Sequence, residues 1–250
     1  MKDDEPVVTA KKYMAYKQER GHIGKFQPPK IILICYQQSI LLYLMQKYPE
    51  IKTCESFSNL YYIHNGEIGI LGGWGMGAPA LAAKLEQLIE MGAKRYIAIG
   101  LAGSLVEGHK IGDFAISTQA LAEDGVSHHY LPEDVSFASA DAALVELWGR
   151  FAKAEGLPDF HGIPTWSFSA IFRETPRAIK RVRALGCGLV EMEAATLYAM
   201  GQDKGVQTLS LFVVSDTLTE EHWVPHLKEP AVINNLKSLS DYALSFCKTF

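Results

Sequence analysis

Ile68-Gly69-Ile70-Leu71 runs into Gly72-Gly73-Trp74-Gly75-Met76-Gly77 and then Ala78-Pro79. A short apolar run of buried-strand type ends in glycines. Pro79 suits the first turn of a helix, and Leu81, Leu85, Leu88 and Ile89 share one face as far as about Met91. Gly92 fits a C-cap. Strand, glycine turn and helix in succession form the repeating unit of a layered α/β domain.

The same alternation continues outward. Upstream, Tyr61-Tyr62-Ile63 faces the opening run across His64-Asn65-Gly66-Glu67, and Asn-Gly is a strong hairpin signal. One antiparallel pair therefore enters the sheet. Ile31-Ile32-Leu33-Ile34-Cys35 reads as a buried strand, followed by a helix over 39–47. Downstream, strands are predicted over 95–100, 114–121, 160–169 and 208–214. Helices are predicted over 141–155, 175–184, 192–204 and from about 231, the first with Leu144, Leu147, Trp148 and Phe151 as a core stripe. The pattern predicts a three-layer α/β/α sandwich with a mixed central sheet. Residues 1–29 read as a lysine-rich N-terminal arm, with a short helix over Lys11 to Arg20 and an end at Gln27-Pro28-Pro29. Residues 30–250 read as one domain.

Composition narrows the function. Of 250 residues, 48% are hydrophobic and 21% charged, and a chain this long buries roughly 70–75% of its unfolded surface without a metal or disulfide staple. Twenty-four basic against 28 acidic residues give a net charge of −4, which removes the bulk electrostatic case for a nucleic-acid partner. Cys35, Cys54, Cys187 and Cys247 are scattered without metal-ligand spacing and read as buried small hydrophobes in a reducing compartment. The start Met1-Lys2-Asp3-Asp4-Glu5-Pro6 lacks the apolar core of a signal peptide, and no run is long enough to span a membrane. A cytoplasmic protein with no membrane partner is expected.

Ligands of α/β folds gather at the carboxyl ends of strands, and four junctions carry suggestive residues. The glycines of 72–77 either make a tight turn or let backbone N–H groups approach an anion at a helix N-terminus. In Val190-Glu191-Met192-Glu193-Ala194-Ala195, two carboxyls at the start of a helix are expected to diverge. They complement the helix dipole, or one of them accepts from the vicinal hydroxyls of a sugar. Asp216, after the strand ending at Val214, is a capping residue or a general acid with a raised pKa. Trp166 to Thr175 brings aromatics beside arginine, for packing or for stacking a planar ring. His128-His129 reads as part of a loop.

In chain order, Gly75-Met76-Gly77-Ala78-Pro79, Gly100-Leu101-Ala102-Gly103, Ile111-Gly112-Asp113, Asp124-Gly125-Val126-Ser127, the Val190–Ala195 segment and Ser215-Asp216 resemble the nucleoside phosphorylase superfamily. The likeness is to the uridine phosphorylase and bacterial purine nucleoside phosphorylase type, across about residues 30–250. It implies a phosphorylase-like fold and a pentosyltransferase that cleaves the N-glycosidic bond of a nucleoside and releases the base. Inorganic phosphate would be the co-substrate, with no other cofactor and no metal. A nucleoside hydrolase and a non-catalytic nucleoside-binding homologue are the alternatives.

By the same resemblance, Glu193 and Asp216 are catalytic, Glu193 on the ribose diol and Asp216 assisting the departing base. Met192, Glu193, Met76 and His22 would bind ribose, and Trp166, Phe172 and Arg177 the base. Gly75 and Arg173 would meet phosphate. A homo-oligomer, dimer or hexamer, is also implied. The chain departs from the family pattern where phosphate should bind. Cys35-Tyr36-Gln37-Gln38-Ser39 replaces the Gly-Asp-Pro loop, Ala98 and Leu101 replace an arginine and a hydroxyl residue, and no arginine lies between 21 and 94. The water-activating glutamate of the nucleosidases has no match after the first strand either, and Ser169 stands where many members have Asp.

Overall fold

The computed structural model describes residues 6–24 and 27–250. Its helices are α1 (Ala10–Glu19), α2 (Gln38–Lys47), α3 (Ala78–Glu90), α4 (Ala142–Ala154), α5 (Pro176–Ala184), α6 (Ala194–Lys204) and α7 (Pro230–Cys247). The strands are β1 (Ile31–Cys35), β2 (Lys52–Thr53), β3 (Leu60–Ile63), β4 (Ile68–Gly72), β5 (Arg95–Ser104), β6 (Phe114–Glu123), β7 (Phe137–Ser139), β8 (Phe160–Phe168), β9 (Leu189–Glu191), β10 (Gln207–Leu218) and β11 (Trp223–Pro225).

One mixed sheet runs β11-β10-β6-β8-β9-β5-β1-β4-β3-β2, with β7 attached to β6. Strand β10 also pairs with β5 in parallel, so β5, β10, β6, β8 and β9 close into a ring. The hairpin β3–β4 is antiparallel, as Asn65-Gly66 predicts, while β1 runs parallel to both β4 and β5.

Period-two alternation along β1 builds the two outer layers. Ile32 and Ile34 pack with Leu81, Leu85 and Leu88 of α3 and with Leu197 and Met200 of α6. Ile31, Leu33 and Cys35 point the other way, toward Leu44 of α2, Trp148 of α4 and Leu239 of α7. A smaller cluster joins Ile179 and Val182 of α5 to Leu121 and Trp166. Helix α1 lies against α3 and buries Met14. All four cysteines are free and buried, and no described helix is long and apolar enough to cross a membrane.

Trp148 is fully buried and meets Phe151, Phe160 and Phe246 at centroid separations of 5.7, 5.0 and 5.2 Å. Trp148→Ala is therefore expected to destabilise the fold by about 3–5 kcal/mol, read as a lowered denaturation midpoint in urea.

Three boundaries that differ from the sequence reading matter for the site, the first being β5, which runs past Gly100 to Ser104 and so includes Gly103. Helix α6 begins at Ala194, not 192, because the carboxyl of Glu191 accepts the Glu193 and Ala194 N–H groups and leaves Met192-Glu193 in a bend. Strand β10 does not stop at Val214 but bulges there and continues to Leu218, because β11 pairs with its extension. Strands β2, β7 and β11 are too short to show an alternation in sequence.

Candidate active site

Register brings the site together. Asp216 of β10 lies opposite Gly103 of β5, and Gly103 lies opposite Val190 of β9. The row leaves no room for a side chain at its centre. A Cβ on Gly103 would stand 2.9 Å from Asp216 Oδ2 and 3.2 Å from a Val190 methyl. Glycine here lets the carboxyl of Asp216 approach the strand that leads into Glu191 and Glu193.

Those two glutamates take opposite roles. Glu191 is consumed by structure. Its Oε2 accepts the N–H groups of Glu193 and Ala194, both at 2.7 Å, and its Oε1 accepts Thr165 Oγ1 at 3.1 Å and the Ser167 hydroxyl. Ser167 Oγ in turn accepts Ala195 N–H at 2.8 Å. This is the helix-start reading, fulfilled by one carboxyl.

Glu193 turns away from that network and accepts Gly77 N–H at 2.5 Å, with a second backbone hydrogen bond at Met192. The anion site expected at the start of α3 is thus filled by a carboxyl of the chain itself. Burial raises the pKa of both groups, and the field of Glu191 adds to the effect at Glu193, which is pushed up to about 8. The pair accordingly holds a proton at neutral pH. Asp124, also buried, is structural: it binds Val126 N, Ser127 N and Oγ, and Thr196 Oγ1.

Around Asp216 the donors are neutral. Ser215 Oγ donates to Oδ1 at 2.6 Å, and the Trp223 indole N–H donates to Oδ2 at 2.9 Å. Half-buried Glu174 lies within its electrostatic reach. Burial, then the charge of Asp216, pushes the Glu174 carboxyl up to about 7. Glu174 and Trp223 were not singled out from sequence. Glu174 sits in the 166–175 stretch read for its aromatics, and Trp223 sits on a strand that sequence does not reveal.

The remaining expected residues divide. Met192 is half-buried beside Glu193, and Met76 stands on the glycine loop with 67% of its surface exposed. Phe172 is 94% exposed, on the turn that leads to Glu174. Trp166 cannot stack a base here. It is fully buried, stacked on Phe168 at 4.5 Å, with its N–H given to Glu123 at 2.8 Å. Arg177 lines a surface cleft of about 720 Å³ with Lys180, Arg183 and Glu220. His22 is exposed and meets the edge of Tyr16. Gly75 is exposed with φ of 103°, and Arg173 occupies the same turn as Phe172, next to Glu174; no described contact joins the two.

At the carboxyl end of β1, Tyr36 fills the space above Gly100, 3.1 Å from where a Cβ would be, and packs edge-on against Trp74. Burial, with the nearby charges of Glu193 and Glu191, raises its pKa. Lys84 is a cation near Trp74, 5.9 Å from the ring centroid, and donates to Asn59 Oδ1 at 2.9 Å. A larger cleft, about 980 Å³, is lined by Lys30, Ile31, Ile68 and Arg95 at the amino ends of β1, β4 and β5, away from these carboxyls.

Fold and site together define an α/β protein in which the strand that carries Asp216 and the strand that leads into Glu193 both flank Gly103 of β5. The family described as Phosphorylase superfamily matches residues 40–245, and the chain belongs to it. A purine nucleoside phosphorylase of the DeoD type from Lactococcus lactis subsp. cremoris is 37% identical over 145 residues, which span 58% of this chain and 61% of that protein. A uridine phosphorylase from Haemophilus influenzae is 27% identical over 168 residues, 62% of this chain and 66% of that protein. Among solved structures, purine nucleoside phosphorylase from Toxoplasma gondii in complex with immucillin-H superposes with a TM-score of 0.77 at 17% identity. That match covers 88% of this chain and 91% of the other, and it shows the fold.

Proposed function

We propose that this protein cleaves the N-glycosidic bond of a nucleoside and releases the base. The observation that carries the reading is Glu193. It is a buried carboxyl, freed from the helix cap by Glu191 and hydrogen-bonded to backbone, three residues beyond the Val190 that flanks Gly103 and Asp216 in the sheet. Departure of the base leaves positive charge on the sugar, and a carboxyl bound to the ribose diol stabilises that charge more strongly than the neutral substrate. Asp216, on the other side, meets the base as it accumulates electrons. The membership of the superfamily and the phosphorylase names of the relatives support the same reading.

The C1′–N bond breaks, its electron pair stays with the base, and a proton reaches the base from the Asp216–Glu174 pair. An oxygen nucleophile bonds to C1′ from the opposite side. Phosphate is the co-substrate that the relatives' names support, and the protein would act as a cytoplasmic homo-oligomer. Incubating the protein with inosine, adenosine or uridine, with and without phosphate, tests the reading. Base release that needs phosphate and yields a sugar phosphate supports phosphorolysis. Release without phosphate identifies a hydrolase.

Glu174 supplies a pH prediction. Its carboxyl, pushed up to about 7, carries a proton below that pH and loses it above. Base release is expected to fall as pH rises beyond 7, and Glu174→Gln should flatten that alkaline limb. A limb unchanged in the variant would assign it to another group.

A further inference from the structure

Among the tryptophans, Trp148 and Trp166 are fully buried and Trp74 is half-buried against Tyr36. Trp223 is different: its side chain binds a site carboxylate, yet the residue stays 58% exposed. Its backbone is fixed. Strand β11 pairs Trp223 with Leu218 and Pro225 with Asp216, and Thr219 N donates to His222 O at 2.9 Å across the turn. His226 N then donates to Ser215 O at 3.1 Å and closes the other end of the hairpin.

The orientation of the ring follows from its hydrogen bond. An indole N–H lies in the ring plane, so Asp216 sits at the edge of Trp223 and the ring faces are not used by that contact. A planar ligand stacked on a face lies beside Asp216, with its own edge able to reach the carboxylate. Each carboxylate oxygen has a second lone pair for such a donor. The exposed ring is thereby pre-oriented, which limits the entropy lost on binding.

We propose that Trp223 is the wall against which the nucleobase stacks and the positioning residue that orients Asp216. The inference rests on the nucleoside-cleaving reading, which it deepens by assigning the base subsite to the β10–β11 hairpin. Trp166, the tryptophan expected from sequence, is excluded from that role by its burial.

Two substitutions separate the two roles. Trp223→Ala removes both ring and donor and is expected to raise KM by roughly tenfold, the order of a lost base-stacking contact, and to lower kcat as well. Trp223→Phe keeps a ring and loses the N–H. KM should stay within about threefold while kcat falls, and the alkaline limb carried by Glu174 should move to higher pH, because the Asp216 charge that raises it loses a neutral donor. Nucleoside should also quench the fluorescence of the wild type saturably, and the quench should disappear in Trp223→Phe. A Trp223→Ala variant with the KM and kcat of the wild type would overturn the inference and leave the cleavage reading intact. So would a Trp223→Phe variant with the full quench. A folded wild type that neither releases base nor responds to any nucleoside would overturn the cleavage reading, and this inference with it.

Discussion

Glu193→Gln is expected to lower kcat/KM for base release by about 10²–10³-fold, the usual cost of removing one preorganised group that stabilises transition-state charge. The substitution is nearly isosteric, and the amide oxygen can still accept Gly77 N–H, so the loop and the start of α3 keep their geometry. What disappears is the ability to become negative as the sugar becomes positive. The loss should fall mainly on kcat, because a neutral amide still hydrogen-bonds a ground-state hydroxyl. The same variant reports on stability. With its pKa raised to about 8 in the fold, Glu193 binds a proton more tightly there than in the unfolded chain. That contribution is complete below the unfolded pKa near 4.5 and is lost as pH rises through about 8. Melting temperatures of the wild type should therefore decline over this window relative to Glu193→Gln. Parallel curves would show that Glu193 does not carry the proton.

Asp216→Asn is expected to cost about 10²–10⁴-fold in kcat, the range of lost acid–base assistance, because its charge holds on Glu174 the proton that reaches the base. Ser215 Oγ can still donate to the amide oxygen, but the negative charge that keeps the Glu174 proton in place is gone. Two signatures separate this from a packing defect. The alkaline limb should shift to lower pH, since Glu174 loses the charge that raises its pKa. A riboside whose leaving group needs no proton should be cleaved by the variant at nearly the rate of the wild type. Equal losses on both substrates would place Asp216 outside proton transfer.

The alternation of apolar runs made the layers legible, because β1, β4 and α3 are patterned by burial alone. Glu193 and Asp216 were legible only through their place among the family's anchors. Chemistry by itself left a helix-start or capping role open for each. Glu191 shows why: it has the same side chain two residues away, and it is spent on the helix. Local sequence carries no sign of which carboxyl meets Ser167 and which meets Gly77, since both partners are distant in the chain. Trp166 misled for a related reason. Its ring is buried under α5, a tertiary fact, while Trp223 owes its place to a three-residue strand with no periodicity to read. The missing phosphate arginines were visible in sequence, and the structure adds what stands in the gap. Tyr36 fills the end of β1 beside Trp74, where the family resemblance leads one to expect a glycine loop.

If Glu193 holds the sugar while the glycosidic bond breaks, its loss must show in the release of base. Chromatographic detection of free base from inosine, adenosine and uridine, with wild type and Glu193→Gln compared at equal folded concentration, tests it most directly. The expected result is release from at least one nucleoside in proportion to wild-type protein, and at least about 100-fold less from the variant. Release of no base by the folded wild type, or equal release by both proteins, would contradict it.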